Sequence, residues 1–251
     1  MNQIIARNLA AVRERIAKVA ARSGRPADSV ELIAVTKYAP PGAIAALLEL
    51  GVTQFGENRV QQLAQRVAEY GAVQRGLHET ATRSGVPNWH MIGHLQRNKV
   101  RALLDFSRVV HSLDSIRLAD ALDAAAEERG TRVDVLVEVN MSGEAAKTGI
   151  APADAVILIE HLHQRDHLRL TGLMTMAALT PNASDAQPTF AALREMLESL
   201  RSRRMVGSNC TELSMGMSHD FDYAIAEGAT LIRVGSSLFE GLPPPGRGAP
   251  A

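Results

Sequence analysis

Leu32-Ile33-Ala34-Val35-Thr36-Lys37 is a run of four apolar residues that ends in a hydroxyl and a cation. An unbroken apolar run of this length is what a strand needs when both of its faces are covered, as in a parallel sheet flanked by helices. Upstream, residues 2–23 place Ile5, Leu9, Val12, Ile16 and Val19 at three- and four-residue spacing. That makes one apolar helical stripe, which stops at the Ser23-Gly24-Arg25-Pro26 break. Downstream, 41–50 reads as a helix ended by Gly51, 54–56 as a strand and 58–70 as a helix. Residues 71–88, rich in Gly, Thr and Arg and closed by Pro87, read as a surface excursion. The alternation then continues: strand 89–92, helix 95–104, strand 109–111, helix 115–129, strand 133–139, helix 152–163, strand 168–173, helix 186–204, strand 212–213, helix 218–227, strand 231–234. Eight strands alternating with helices imply parallel strands joined by right-handed crossovers. In a chain of 251 residues this suits a closed (β/α)8 TIM barrel with an extra N-terminal helix better than an open sheet. The expected barrel domain spans 1–241. Residues 242–251 hold four prolines and two glycines and read as a disordered tail.

Composition narrows the function classes. Lys+Arg and Asp+Glu are both 27, so there is no basic excess of the kind a general nucleic-acid binder shows. A single cysteine, Cys210, allows no intrachain disulfide and no thiolate zinc cluster, which fits a reducing, cytoplasmic setting. No apolar run approaches the roughly 20 residues of a membrane span. Arg7, Arg13 and Arg15 interrupt any signal-peptide core, so the N-terminal segment is expected to be a packed helix.

Sites in such barrels form at the carboxyl ends of the strands. Lys37 follows the first apolar run. It could pair with a carboxylate or snorkel at the rim, or its pKa could be lowered so that it acts as an amine nucleophile forming a Schiff base. After the seventh strand, Gly216-Met217-Ser218 precedes a helix, with Ser218 suited to cap it. After the eighth, Gly235-Ser236-Ser237 opens another helical turn. Ordinary capping explains each alone. Two such ends on adjacent strands, where barrels often bind phosphate, suggest an anion cradle. Arg233 interrupts an apolar strand and needs a partner, either a carboxylate or a ligand acceptor. A molecule with an aldehyde, a phosphate and a ring acceptor satisfies all three features, and pyridoxal 5′-phosphate (PLP) is one.

Several ordered motifs carry a resemblance. They are Leu32-Ile33-Ala34-Val35-Thr36-Lys37, Phe55-Gly56-Glu57-Asn58-Arg59-Val60-Gln61 and Trp89-His90-Met91-Ile92-Gly93-His94-Leu95-Gln96-Arg97-Asn98-Lys99. Further on stand Val139-Asn140, Lys147-Thr148-Gly149, Gly172-Leu173-Met174-Thr175-Met176, Leu213-Ser214-Met215-Gly216-Met217-Ser218 and Arg233-Val234-Gly235-Ser236. From about residue 2 to Gly241 the chain resembles the pyridoxal phosphate homeostasis protein family, also called the PLP-binding proteins (YggS/PROSC). The resemblance implies a barrel like the N-terminal domain of alanine racemase, PLP fold type III. By position it implies Lys37 as the aldimine lysine, and Ser218, Gly235 and Ser236 as phosphate ligands with Met217 contributing backbone. It also implies Arg233 facing the pyridine nitrogen and Asn58 lining the ring pocket. A permanent cation there keeps that nitrogen unprotonated and the ring a weak electron sink. A racemase of this fold takes a catalytic tyrosine from a second, β-rich domain of its partner subunit, and this chain ends about where the barrel closes. The family reading is therefore a non-catalytic monomer that holds PLP and releases it to PLP-dependent apoenzymes, with no catalytic and no metal residue. The alternative is a small PLP-dependent amino-acid racemase, which needs a second general base across the ring from Lys37. The stretch 71–88 is longer and more polar than the resemblance leads one to expect.

Other candidates have bland readings. His90 and His94 have HxxxH spacing but straddle a strand end. His163 and His167 fall near a helix end among polar residues. Met174, Met176, Met215 and Met217 suit core or pocket packing. Lys99 and Lys147 are candidates for secondary cofactor contact, and the reactivity of Cys210 depends on its burial.

Overall fold

The computed structural model describes residues 1–37, 39–76, 85–144 and 148–243. Helix α1 (Asn2–Arg22) leads into strand β1 (Glu31–Val35). Then follow α2 (Ala43–Glu49), β2 (Gln54–Glu57), α3 (Val60–Gly76), β3 (Asn88–Met91), α4 (Val100–Leu103) and β4 (Val109–Leu113). The second half holds α5 (Ile116–Glu128), β5 (Val133–Glu138), α6 (Pro152–Leu162), β6 (Leu168–Met174), α7 (Gln187–Ser202), β7 (Glu212–Met217), α8 (Phe221–Ala226), β8 (Leu231–Val234) and α9 (Ser236–Phe239). The eight strands pair in parallel, in chain order, and β8 returns to β1 to close the barrel. The expected barrel with an extra N-terminal helix is thus the observed one.

The extra helix has a packing reason. Helix α9 has only four residues, too few to cover the sheet beside β8. Helix α1 lies against α2, α8 and α9, in the place of an eighth outer helix. It buries Ile5, Leu9, Val12, Ile16 and Ala20 there, each large side chain contributing roughly 1.5–3 kcal/mol. Asn8 fixes its position, donating Nδ2–H to the carbonyls of Leu238 (3.2 Å) and Glu240 (2.9 Å). Among the described residues no helix is long and apolar enough to cross a membrane.

Most apolar side chains pack between sheet and helices. A separate small cluster of Ile33, Leu136, Met174 and Leu231, with Met176 against it, fills part of the barrel lumen. Strand alternation then places Arg233, two residues after Leu231, in the lumen as well.

Several boundaries depart from the sequence reading. Strand β7 extends to Met217 rather than ending at 213, because Gly216 adopts φ 91° and carries the chain onward. A side chain at Gly216 would sit 2.5 Å from the Ala224 Cβ. Helix α8 consequently starts at Phe221, with Asp220 as its cap residue, so Ser218 does not cap it. The helix expected over 95–104 is a 3-10 turn (Arg97–Lys99) followed by the short α4. Helix α3 runs on to Gly76, into the segment read as an excursion, and residues 77–84 lie outside the described residues. So do Lys147 and residues 244–251 of the expected tail.

Candidate functional site

The carboxyl ends of β1, β7 and β8 meet at one side of the barrel mouth. Ile33 pairs with Arg233 and Ala34 with Val234, so the chain beyond β1 and the chain beyond β8 leave the sheet side by side. Gly235 lies on this seam, and a Cβ there would be 3.2 Å from the carbonyl oxygen of Val35. Lys37 is two residues further on.

Lys37 does not lie in the buried run itself. Thr36 is fully buried, and the chain turns there, with Ala39 N–H donating to Thr36 O at 2.9 Å. This brings Lys37 out to an exposed position at the crest of the turn. The turn is held from behind by Arg66, which donates to both Thr36 O and Ala39 O at 2.9 Å. Arg66 also lies 3.7 Å from Glu57, which accepts the Thr36 hydroxyl at 2.5 Å. Burial pushes the Glu57 carboxyl above the usual range, opposed by the Thr36 bond and the Arg66 charge. Its second oxygen, Oε2, is buried with no hydrogen-bond partner.

Across the seam, Ser218 does not cap α8 but meets the chain that follows β8. Its Oγ accepts the backbone N–H of Gly235 at 3.2 Å and, more weakly, that of Ser237 at 3.4 Å. The Gly235 amide and one from the first turn of α9 therefore converge on one oxygen. The turn below is fixed by Asp220, whose Oδ1 accepts Met217 N–H at 2.6 Å. Helices α8 and α9 are six and four residues long. Two backbone amides grouped with the Ser218 hydroxyl, rather than long helix dipoles, make this corner suited to an anion.

Arg233 is 3% exposed and donates to Ser214 Oγ at 2.6 Å and to Thr175 O at 3.0 Å. Neither partner is charged, so the carboxylate partner considered from sequence is not the one it bonds. Burial lowers its pKa to about 10, with Glu138 and Asp220 opposing, so it stays cationic at neutral pH. Asn58 follows β2, half-buried, with Oδ1 enclosed and unpartnered. Gly93 packs against it so tightly that a Cβ would lie 2.4 Å from Asn58 O.

The remaining candidates separate. His90 is buried against His111, whereas His94 is exposed and faces Asp114 at 3.1 Å, so the HxxxH pair does not converge. His163 bonds Met205 O on the surface. Met174 and Met215 are fully buried packing residues. Burial pushes the Cys210 thiol up to about 11. Lys99 sits in the 3-10 turn before α4. Sequence reasoning missed Arg66, Glu57, Glu138, His111 and Ser214, because each acts through a partner distant in the chain.

The site offers converging amides and hydroxyls for a phosphate, a buried cation with neutral partners for a ring acceptor, and a lysine at the same seam. These residues fit PLP. Residues 7–243 match the family model described as "Alanine racemase, N-terminal domain". The chain is 37% identical over 231 residues to the pyridoxal phosphate homeostasis protein of Aquifex aeolicus, covering 92% of this chain and 95% of that one. A crystal structure of an unknown protein from Bifidobacterium adolescentis superposes with TM-score 0.84 at 36% identity, covering 95% of both chains. PipY of Synechococcus elongatus, solved with PLP bound, gives TM-score 0.75 at 36% identity over 94% of this chain and 99% of PipY. By sequence and by fold, the chain belongs to the pyridoxal phosphate homeostasis protein family.

Proposed function

We propose that this chain binds PLP and acts in its homeostasis, holding the cofactor reversibly and releasing it to PLP-dependent apoenzymes without catalysing a reaction of its own. The observation that carries this is the meeting of three groups at the β1–β8 seam: the Lys37 turn, the Gly235 and Ser237 amides grouped at Ser218, and buried Arg233. Relatives over nearly the whole chain bear the homeostasis name, and one solved neighbour contains PLP.

In this reading the Lys37 amine forms a Schiff base with the cofactor aldehyde, releasing one water. Ser218, Gly235 and Ser236 hold the phosphate, with Met217 contributing backbone. Arg233 donates to the ring nitrogen, and Asn58 lines the ring. When bound, PLP supplies an electron-withdrawing ring to amine substrates. A guanidinium at the ring nitrogen opposes protonation there, which weakens that withdrawal and favours storage over turnover. We place the protein in the cytoplasm as a monomer whose PLP-binding unit is 1–241.

The test is an absorbance spectrum of the PLP-loaded protein, followed by borohydride reduction and peptide mapping. Label on Lys37 is expected, and Lys37→Ala should lose the covalent link while retaining phosphate-driven binding. Undiminished label on another lysine in that variant would refute the assignment. Racemisation of alanine or serine well above that of free PLP would refute the non-catalytic role.

A further inference from the structure

A line of side chains crosses the barrel lumen from wall to wall. His90 on β3, His111 on β4, Ser214 on β7 and Arg233 on β8 are all buried. His90 Nδ1 lies 2.8 Å from His111 Nε2, and His111 Nδ1 lies 2.8 Å from Ser214 Oγ. Arg233 then donates to the same Ser214 Oγ at 2.6 Å. At the other end, His90 Nε2 lies 2.9 Å from Gln54 Oε1, which also accepts from Asn88 Nδ2 at 2.8 Å.

The chemistry of these atoms gives the line one direction. Two groups face His90 Nε2, the Gln54 Oε1 at 2.9 Å and the Asn88 Nδ2 at 3.3 Å. The nearer one is an amide oxygen that only accepts, and the Asn88 amide already donates to it, so His90 Nε2 carries its hydrogen. In a neutral imidazole Nδ1 is then an acceptor, so the hydrogen between the rings belongs to His111 Nε2. That leaves His111 Nδ1 as an acceptor, and the Ser214 hydroxyl must donate to it. The lone pairs of Ser214 are thereby free for Arg233. All four hydrogens point away from Arg233 toward Gln54, and bonds aligned in one sense strengthen one another. Burial keeps both rings neutral. It lowers His90 to about 4, with Asp134 opposing, and lowers His111 well below the usual value, with the His90 and Arg233 charges adding to the effect.

We propose that Gln54, His90, His111 and Ser214 are positioning residues for Arg233, forming a one-way relay that sets which side of Ser214 the guanidinium meets. Arg233 is held from the closed side by neutral acceptors, Ser214 Oγ and Thr175 O, and its remaining N–H groups are kept for an acceptor at the mouth. The relay deepens the PLP reading and rests on Arg233 as the ring-nitrogen partner.

Two measurements decide it. Long-range proton–nitrogen spectra of the protein without PLP, near neutral pH, should show both His90 and His111 as the Nε2–H tautomer. Either ring found as the Nδ1–H tautomer overturns the relay. With PLP labelled at its ring nitrogen, Ser214→Ala and His111→Phe should shift the nitrogen resonance and weaken PLP binding about tenfold. Ser214→Thr, which keeps the hydroxyl, should restore both. Folded variants with an unmoved resonance and unchanged affinity overturn the proposal. If the wild-type protein takes up no PLP, the functional reading falls instead, and the tautomers still decide the relay.

Discussion

Acid should unfold this barrel partly through its lumen, and His90→Gln isolates that effect. In the native state His90 stays neutral until about pH 4, because burial outweighs the attraction of Asp134. In the unfolded chain it takes up a proton near 6.5. Between these values the unfolded state binds more protons, so stability is intact above pH 6.5 and is lost as pH falls toward 4. The full loss from this one ring is roughly 3 kcal/mol, at about 1.4 kcal/mol per pH unit. Buried Glu57 and Glu138 and half-buried Glu212 act in the opposite sense, because burial raises their pKa values and the native state protonates first. The wild-type curve is therefore a sum. Subtracting the variant, which lacks the His90 titration and its effect on His111, leaves the contribution of His90 with that coupling. Urea unfolding at stepped pH should show the wild-type advantage over His90→Gln shrinking by roughly 3 kcal/mol between pH 7 and 4. A difference that stays flat across that range refutes the reasoning, as does a His90 ring that titrates near 6.5 in the folded protein.

Other substitutions probe the frame around the site. Arg66→Ala should cost roughly 1.5–3 kcal/mol in urea unfolding and slow borohydride labelling of Lys37, because the carbonyls of Thr36 and Ala39 lose a charged donor. Unchanged labelling would show that the turn holds itself. Gly216→Ala should cost roughly 2–4 kcal/mol, from its φ of 91° and a Cβ 2.5 Å from Ala224. A shift in midpoint below a tenth of that would mean the strand relaxes freely. Cys210, buried with its thiol pushed up to about 11, should react with a thiol reagent only on unfolding. Rapid labelling of the native protein would contradict that burial.

The fold was legible because its signals are local. Runs such as Leu32 to Val35 and Val133 to Glu138 carry the apolar composition of doubly covered strands. The stripe Ile5-Leu9-Val12-Ile16 marks α1 without reference to anything else. Boundaries failed where a residue has two local uses. Gly216 reads as lying beyond the seventh strand, yet it extends β7 because the sheet tolerates its positive φ there. Ser218 has the composition of a helix cap, yet Gly235 and Ser237, far along the chain, claim its oxygen. Lys37 could be singled out at the end of an apolar run and Arg233 as a cation inside one. His111 could not, since Val109-Val110-His111-Ser112-Leu113 reads as an ordinary strand until barrel closure brings Ser214 across the lumen to it.

The polar lumen follows from placing one permanent charge at the mouth. A lumen filled only with groups like Ile33 and Leu136 would pack well, but a buried guanidinium would then lack acceptors, at a cost of several kcal/mol. A carboxylate bonded directly to it would solve that and also cancel its field. Here the bonds go to Ser214 Oγ and Thr175 O, which satisfy the N–H groups without neutralising the cation. Glu138 and Asp220 favour the charge from further away. A hydroxyl that must keep its lone pairs for Arg233 needs somewhere else to send its own hydrogen, and neutral His111 provides it. His111 in turn needs His90, and His90 needs Gln54. Gln54, His90, His111 and Ser214 are thus each explained by the next one toward the mouth, and in the proposed PLP reading Arg233 is explained by the ring acceptor of the bound cofactor.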